Sequence, residues 1–266
     1  MTELQDKRLF LLDMDGTIYL DDRLFDGVIP FLARIREKGG RYLFLTNNSS
    51  RGVESYMEKL AGMGIATGPE DYLTSVDATI EALRRDYPGK RCYVQGTASF
   101  RGQLEAAGIP VACGREDGAE VLVSGFDREL TFQKLEDACI LLGRGLPWLA
   151  TNPDWVCPTW YGSVPDCGSV CEMLHRATGR QPVFIGKPQP AMARLALVRT
   201  GYPPEAAVLI GDRLYTDIAC AANAGIDSIF VLSGEGKAGD IERDDIHPTW
   251  VYDDINAVFR AWEETP

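Results

Sequence analysis

The stretch Leu9-Phe-Leu-Leu-Asp13-Met-Asp15-Gly-Thr17 joins an apolar run to two carboxylates that are two residues apart. The apolar run is typical of a buried strand, and Gly16 predicts a turn directly after it. In open α/β sheets, ligands bind in the crevice outside the carboxyl ends of the strands. We therefore expect Asp13 and Asp15 to lie at such an edge of a sheet.

Two carboxylates this close together repel one another and require a cation or a shared proton. A site made of oxygen ligands suits Mg²⁺ better than Zn²⁺. The pair Asp13 and Asp15 therefore predicts a divalent metal site. The alternative is an acidic turn in which Asp15 and Gly16 are ordinary turn residues.

The length and charge of the chain limit its organisation and its partners. With 266 residues and 45% hydrophobic residues, the chain is long for one domain, which predicts a core with a second domain inserted or appended. The net charge of −12 argues against binding to nucleic acid or to an anionic membrane and favours a small molecule or a protein as partner.

The N-terminal segment and the cysteines predict the cellular location. The first eight residues are largely polar or charged and lead straight into the strand, and no later apolar run is long enough to cross a membrane. The seven cysteines form no Cys-x-x-Cys pair, which favours free thiols in a reducing compartment over a zinc site. We therefore predict a cytoplasmic protein.

Strands and helices alternate along the chain in three blocks. The first and last blocks carry polar residues where their strands end, and the middle block restarts the alternation from about residue 75. We predict an α/β core made of residues 1–76 and 179–266, with residues 77–178 inserted as a second α/β domain. The segment 152–168 is predicted as a long loop, and loops of this length are usually functional.

Four strand ends carry polar residues that together suit phosphoryl transfer. This reaction needs a nucleophile, positive charge to neutralise the phosphate, and donors for the phosphate oxygens. The candidates are Asp13 and Asp15, Thr46 to Asn48, Lys187, and Asp212 with Asp217. Taken singly, Thr46 and Asn47 also suit a helix cap, Lys187 a surface lysine, and Asp217 the first turn of a helix.

The motifs DMDGTIY, TNNSS, ATNPD, GKP and GDRLYTD together resemble the haloacid dehalogenase superfamily, and most of all its NagD/p-nitrophenylphosphatase branch, subfamily IIA. The resemblance covers nearly the whole chain. It implies a Rossmann-like, doubly wound parallel sheet with an inserted C2-type cap that selects the substrate. It also implies a Mg²⁺-dependent phosphatase for small phosphate monoesters, such as sugar phosphates or nucleotide monophosphates, and a possible homodimer formed through the cap.

The resemblance assigns a role to each residue of the predicted core site. Asp13 is implied as the nucleophile that forms an aspartyl-phosphate, and Asp15 as the general acid and base. Asp13 and Asp212 are implied as carboxylate ligands of Mg²⁺, with the backbone carbonyl of Asp15 as a further ligand. Lys187 would neutralise the nucleophile and the phosphate. Asp217 would either bind the metal through a water molecule or hold Lys187 in place.

Phosphate and substrate contacts are implied for two further groups of residues. Thr46, Asn47 and Asn48 would donate hydrogen bonds to phosphate oxygens, helped by the start of the following helix. In the cap, we predict substrate contacts for Trp155, Trp160 and Asp166.

The cap aromatics either stack on a substrate ring or pack the cap onto the core. Part of the branch has a Pro-Gly-x-Gly pattern where this chain has Pro165-Asp166-Cys167-Gly168. A carboxylate at Asp166 would disfavour highly anionic substrates and could bind a hydroxyl or an amine.

Three other functions are compatible with parts of this pattern. A dehalogenase of the same fold needs no Mg²⁺ cluster, and Asp15 and Asp212 argue against it. A phosphomutase or phosphotransferase would use the same aspartyl-phosphate but transfer it to another substrate group. A non-catalytic metabolite-binding protein of this fold would be expected to lack a catalytic group, whereas every one is present here.

Overall fold

The computed structural model describes residues 3–159 and 161–264. Over these two ranges, no helix is both long and apolar enough to span a membrane.

Fourteen strands lie in the described part of the chain. In chain order they are β1 Leu9–Asp13, β2 Tyr19–Leu20, β3 Arg23–Leu24, β4 Arg41–Thr46, β5 Tyr72–Thr74, β6 Cys92–Gln95, β7 Val121–Ser124, β8 Trp148–Ala150, β9 Val156–Thr159, β10 Gly162–Pro165, β11 Val183–Phe184, β12 Ala207–Gly211, β13 Asp227–Val231 and β14 Trp250–Tyr252.

Ten α-helices lie in the same residues. They are α1 Val28–Glu37, α2 Val53–Gly62, α3 Ser75–Asp86, α4 Ala98–Ala106, α5 Phe132–Gly143, α6 Cys167–Thr178, α7 Ala191–Thr200, α8 Ala219–Ala224, α9 Asp240–Asp244 and α10 Ile255–Glu263. Single 3₁₀ turns lie at Leu4–Asp6, Pro69–Asp71 and Pro204–Ala206, and a π-helical turn at Leu214–Ile218 leads into α8.

The chain divides into two units. The first comprises the described residues of Met1–Thr46, Tyr56–Leu73 and Lys187–Pro266. Its six-stranded sheet has the order β14-β13-β12-β1-β4-β5, with β1 parallel to β12 on one side and to β4 on the other. The chain thus winds outward from β1 in both directions, as the predicted doubly wound fold requires. This α/β fold class is confirmed.

Strand β1 is buried on both faces. Leu9 to Leu12 are fully buried, which explains why the sequence of this strand is an unbroken apolar run instead of an alternating one. Phe10 packs edge to face against Phe31 of α1 and Trp262 of α10, with ring centroids 5.2 and 5.0 Å apart. The strand that carries Asp13 is therefore held rigidly in the core.

The second unit comprises Asn47–Ser55 and the described residues of Thr74–Gly186. It contains a parallel four-stranded sheet in the order β11-β8-β7-β6. Helices α5 and α6 pack together, and their apolar faces join a core that includes Leu122, Trp148 and Leu174. The insertion was predicted over residues 77–178, whereas this unit extends to Gly186 and takes in Asn47–Ser55.

Hydrogen bonds explain why Asn47–Ser55 belongs to the second unit. The Ser49 hydroxyl lies 2.9 Å from the Thr151 hydroxyl and accepts a hydrogen bond from the Phe126 N–H. The Thr97 hydroxyl donates to the Ser50 carbonyl oxygen, also at 2.9 Å. These bonds join residues far apart in the sequence, and no local pattern predicts them.

The segment 152–168 differs from the predicted unstructured loop. Strands β9 and β10 pair there as an antiparallel hairpin, with Val156 opposite Pro165 and Thr159 opposite Gly162. The prolines and glycines of the segment suggested a loop. Pro158 and Pro165 lie in the hairpin, where both strands are edge strands, and edge strands tolerate proline. The prediction of a loop without its own secondary structure was wrong.

Candidate active site

The carboxyl ends of three neighbouring strands meet at one edge of the core sheet. Asp13 ends β1 and lies opposite Leu45 of β4, so Thr46 follows one residue beyond. Leu12 lies opposite Ile210 of β12, which places Asp212 just beyond the end of that strand. The edge lies where the strand order reverses, the place where doubly wound folds bind ligands.

Lys187 joins two of the predicted carboxylates. Its Nζ lies 2.5 Å from Asp13 Oδ1 and 2.6 Å from Asp217 Oδ1. Lys187 is 2% exposed and Asp217 is fully buried, so Lys187 is no surface lysine. Burial disfavours the charge of Lys187, but the two carboxylates outweigh burial and raise its pKa above the ordinary value.

Asp212 brings a third carboxylate to the group. One oxygen from each of Asp13, Asp212 and Asp217 lies within 4.8 Å of the other two. Burial, followed by the charges of Asp13 and Asp217, raises the pKa of Asp212 to about 7. Lys187 and the Arg213 guanidinium are the positive charges beside these three acidic groups, and Arg213 is itself paired with Glu235, so acidic groups outnumber basic ones here.

Asp217 lies in the π-helical turn Leu214–Ile218. Its Oδ2 accepts a hydrogen bond from the Arg213 N–H, which leaves Oδ1 for Lys187. A Cβ on Gly211 would overlap the Asp217 side chain, so only glycine fits at the end of β12. Burial and the charge of Asp13 raise the pKa of Asp217 to about 6, although Lys187 opposes the shift.

The three carboxylates fit a divalent cation. Asp212 Oδ2 accepts a hydrogen bond from the Glu235 N–H, while the buried Oδ1 of Asp212 has no hydrogen-bond partner within the described residues. A buried carboxylate oxygen without a donor is costly unless a cation supplies the missing charge. Carboxylate oxygens of this kind are the ligands that Mg²⁺ prefers.

Asp15 lies apart from the three clustered carboxylates. Its side chain is 64% exposed, and Tyr19 Oη lies 3.4 Å from Asp15 Oδ2. Lys59 Nζ lies 3.9 Å from Asp15 Oδ1 and 3.8 Å from the centre of the Tyr19 ring. The Asp15 side chain therefore reaches solvent beside Tyr19 and Lys59, two neighbours that sequence reasoning missed.

The residues predicted to bind phosphate belong to both units of the chain. Thr46 ends β4 in the first unit, and Asn47 and Asn48 lie in the second. Asn47 Nδ2 donates to Asp154 Oδ2 at 2.8 Å. Asn48 Oδ1 accepts from both the N–H and the hydroxyl of Ser50, as in a helix-capping turn. These roles in phosphate binding stay predictions.

The predicted cap residues differ in their surroundings. Trp155 is 58% exposed, whereas Asp166 is 6% exposed. Asp166 Oδ1 accepts hydrogen bonds from the Cys167 N–H at the start of α6 and from Asn152 Nδ2. Trp160 lies outside the described residues. Substrate contacts by these residues stay predictions.

The segment Ser233–Gly236 also contacts the cluster, and sequence reasoning missed it. It follows β13, and its backbone binds Asp212. The signal available in the sequence was the pair of glycines, Gly234 and Gly236, at the end of a buried strand.

Family models match both parts of the core. The model described as haloacid dehalogenase-like hydrolase matches residues 10–110, and a second, described as HAD-hydrolase-like, matches residues 184–258. Among curated proteins, an acid sugar phosphatase of Staphylococcus aureus is 31% identical over 257 residues, which cover 97% of this chain and 98% of the relative.

Solved structures of phosphatases match almost the entire chain. A 4-nitrophenylphosphatase from Thermotoga maritima is 39% identical, with a TM-score of 0.92 and coverage of 98% of this chain and 99% of that one. A glycerol phosphate phosphatase from Mycobacterium tuberculosis, solved in complex with magnesium, is 31% identical, with a TM-score of 0.90 and coverage of 98% and 78%. The chain therefore belongs to the haloacid dehalogenase-like hydrolases, in the branch of NagD and the p-nitrophenylphosphatases.

Proposed function

We propose that the chain, a phosphoric monoester hydrolase of the haloacid dehalogenase type, uses Mg²⁺ to hydrolyse small phosphate monoesters through an aspartyl-phosphate on Asp13. The observation that carries the proposal is the buried Lys187, which bonds Asp13 and Asp217 beside Asp212 at the carboxyl edge of the parallel sheet. The cluster has three carboxylates beside Lys187, and the neighbouring Arg213 guanidinium is already paired with Glu235.

Asp13 is suited to attack phosphorus because it lies at the end of a rigid strand and is 14% exposed in its side chain. A carboxylate oxygen of Asp13 forms a bond to phosphorus, and the bond from phosphorus to the ester oxygen breaks. The leaving oxygen takes a proton from Asp15. The products of this step are the free alcohol and the aspartyl-phosphate.

Asp15 then acts in the opposite direction. It removes a proton from water as the water oxygen attacks phosphorus, and the bond between phosphorus and Asp13 breaks. Inorganic phosphate leaves, and Asp13 and Asp15 return to their starting protonation states. The exposed Asp15 carboxyl, separate from the metal cluster, suits this exchange of protons.

Asp13 and Asp212 are the residues that would hold Mg²⁺, with the backbone carbonyl of Asp15 as a further ligand. The bound ion would supply positive charge for the phosphate oxygens. Lys187 adds a fixed positive charge beside Asp13, which lowers the repulsion between the nucleophile and the phosphate dianion. Asp217 keeps Lys187 in place through its Oδ1. Thr46, Asn47 and Asn48 are proposed to donate to the phosphate oxygens.

A sugar or polyol phosphate is the proposed substrate class. The support comes from relatives described as an acid sugar phosphatase and a glycerol phosphate phosphatase. The second unit is proposed to be the cap that selects the substrate, with Trp155 exposed directly before strand β9. Nucleotide monophosphates are the competing class, and a panel of both kinds of ester separates them.

The test is hydrolysis of p-nitrophenyl phosphate with Mg²⁺ and with EDTA, by the wild type and by Asp13→Asn. We expect EDTA and the substitution each to remove activity. Equal activity in Asp13→Asn would refute the aspartyl-phosphate mechanism. Product analysis covers the alternatives, because a phosphomutase returns an isomeric ester and a metabolite-binding protein releases no phosphate.

A further inference from the structure

We propose that the segment Ser233–Gly236, called here the β13 loop, positions the Asp212 carboxylate for the cation and thereby sets the affinity for Mg²⁺. The inference rests on the proposed function, since it concerns the metal of that site. The loop acts through Asp212, and its residues are positioning residues.

Two backbone groups of the β13 loop bind Asp212. The Glu235 N–H donates to Asp212 Oδ2 at 2.7 Å, and the Gly236 N–H donates to the Asp212 carbonyl oxygen at 3.0 Å. The same residue is thus held at both its side chain and its main chain. Rotation of the carboxylate would break the first of these bonds, so its orientation is fixed.

The glycines allow the loop to come this close. A Cβ on Gly234 would overlap the Asp212 carboxylate, and a Cβ on Gly236 would lie 2.5 Å from the Asp212 carbonyl oxygen. Neither glycine has a positive φ, so steric contact, and not backbone conformation, requires glycine here. Such close packing against a charged side chain is a feature of a constrained site.

The turn that follows Asp13 also packs against the Asp212 carboxylate. A Cβ on Gly16 would also overlap Asp212 Oδ2. The Ser233 hydroxyl donates to the Gly16 carbonyl oxygen at 2.7 Å, which ties the two glycine segments together. Gly16 and Gly234 therefore both approach the same carboxylate oxygen, Asp212 Oδ2, more closely than a side chain would allow.

The side chain of Glu235 closes the loop onto the segment after β12. Its Oε2 lies 2.8 Å from Arg213 Nε, and its Oε1 lies 3.3 Å from Tyr215 Oη. Both partners, Arg213 and Tyr215, follow Asp212 closely in the sequence. The β13 loop and the segment after β12 therefore hold one another in place beside the Asp212 carboxylate.

The β13 loop donates a hydrogen bond to only one carboxylate oxygen of Asp212. Oδ2 accepts the Glu235 N–H, whereas the buried Oδ1 has no hydrogen-bond partner within residues 3–159 and 161–264. A ligand oxygen that is held in place before the ion arrives loses little entropy on binding it. Groups that orient metal ligands typically contribute about 10- to 100-fold to metal affinity.

The test compares Gly234→Ala with the matched control Gly239→Ala, by calorimetric titration of the substrate-free protein with Mg²⁺ alone. A Cβ on Gly239 meets no atom within 4 Å. We expect Gly234→Ala to raise the Kd for Mg²⁺ by about 10-fold or more, and the control to leave it within about twofold. Saturating Mg²⁺ should restore most of the kcat of Gly234→Ala, because the chemical groups are intact.

A second variant covers the case in which Gly234→Ala does not fold. Ser233→Ala removes only the hydroxyl that donates to Gly16. We expect a Kd for Mg²⁺ raised about threefold, which is about 0.7 kcal/mol, and a melting temperature in EDTA lowered by only about 2 to 4 °C. A Kd for Mg²⁺ equal to the wild-type value in either folded variant would refute the role of the loop. Absence of Mg²⁺ binding in the wild type would instead refute the proposed function.

Discussion

Asp212→Asn is expected to abolish activity and yet to stabilise the metal-free protein. In the absence of metal, Asp212 is 2% exposed and near two other acidic groups, and its pKa is raised from 3.8 to about 7. Its ionised form is therefore disfavoured in the folded state. Asparagine keeps an oxygen for the Glu235 N–H but carries no charge.

The size of the effect depends on pH. Each unit of pKa shift corresponds to about 1.4 kcal/mol, so a shift of about three units corresponds to about 4 kcal/mol at pH 8, where the wild-type carboxyl is ionised in both states. At pH 5 the folded protein keeps the proton that the unfolded chain has lost. The gain from Asp212→Asn should then be only about 2 kcal/mol.

The same link between proton binding and folding gives the direction in which the stability of the wild type changes with pH. Between pH 5 and pH 7 the folded, metal-free protein binds more protons at Asp212 than the unfolded chain, so its free energy of unfolding falls as the pH rises. We expect a decrease of about 2 kcal/mol over this range. The raised pKa of Asp217 acts in the same direction.

Urea unfolding in EDTA, followed by tryptophan fluorescence at pH 5 and pH 8, measures these differences. The matched control is Asp22→Asn, an exposed aspartate of the same unit. Addition of Mg²⁺ at about 100 times its Kd should stabilise the wild type by about 2.7 kcal/mol and Asp212→Asn much less. A lower stability of Asp212→Asn than of the wild type in EDTA at pH 8 would overturn the account of this cluster.

Two further substitutions test the contacts of each unit. Lys187→Met leaves Asp13 and Asp217 without their lysine. We expect the free energy of urea unfolding to fall by about 3 to 5 kcal/mol and the hydrolysis of p-nitrophenyl phosphate to be lost. Unchanged stability would mean that the pairing is weaker than its burial implies. Ser49→Ala removes the partner of the buried Phe126 N–H and should lower the free energy of urea unfolding by about 1 to 3 kcal/mol. The control Ser163→Ala, at an exposed serine, should leave this free energy almost unchanged. Equal effects of the two substitutions would count against this hydrogen bond.

The core of the site was predictable because its residues follow short, strongly apolar strands. The end of such a strand can be recognised locally, and the carboxyl ends of parallel strands share one edge of the sheet. On this basis Asp13, Lys187, Asp212 and Asp217 were expected at one place, and the structure brings them together. Their catalytic roles come from the family resemblance and stay proposals.

Other features of the site could not be predicted from the sequence. The β13 loop binds Asp212 through backbone N–H groups. Because every residue except proline has such a group, the residue type at position 235 does not reveal this contact. Asn47–Ser55 joins the second unit through bonds to residues such as Thr97 and Thr151, which lie far away in the chain. Hairpin β9–β10 was hidden by prolines that usually indicate loops.

The central position of β1 has a consequence for the synthesis of the protein. Strand β1 leaves the ribosome well before its partner β12, which begins only at Ala207. Until then, one long edge of a fully apolar strand lacks its neighbour, and such edges promote aggregation. Most of the second unit, Thr74–Gly186, is complete before β12 emerges. Strand β1 is thus made well before the neighbour that covers its second edge, so this sheet should depend on chaperones during translation.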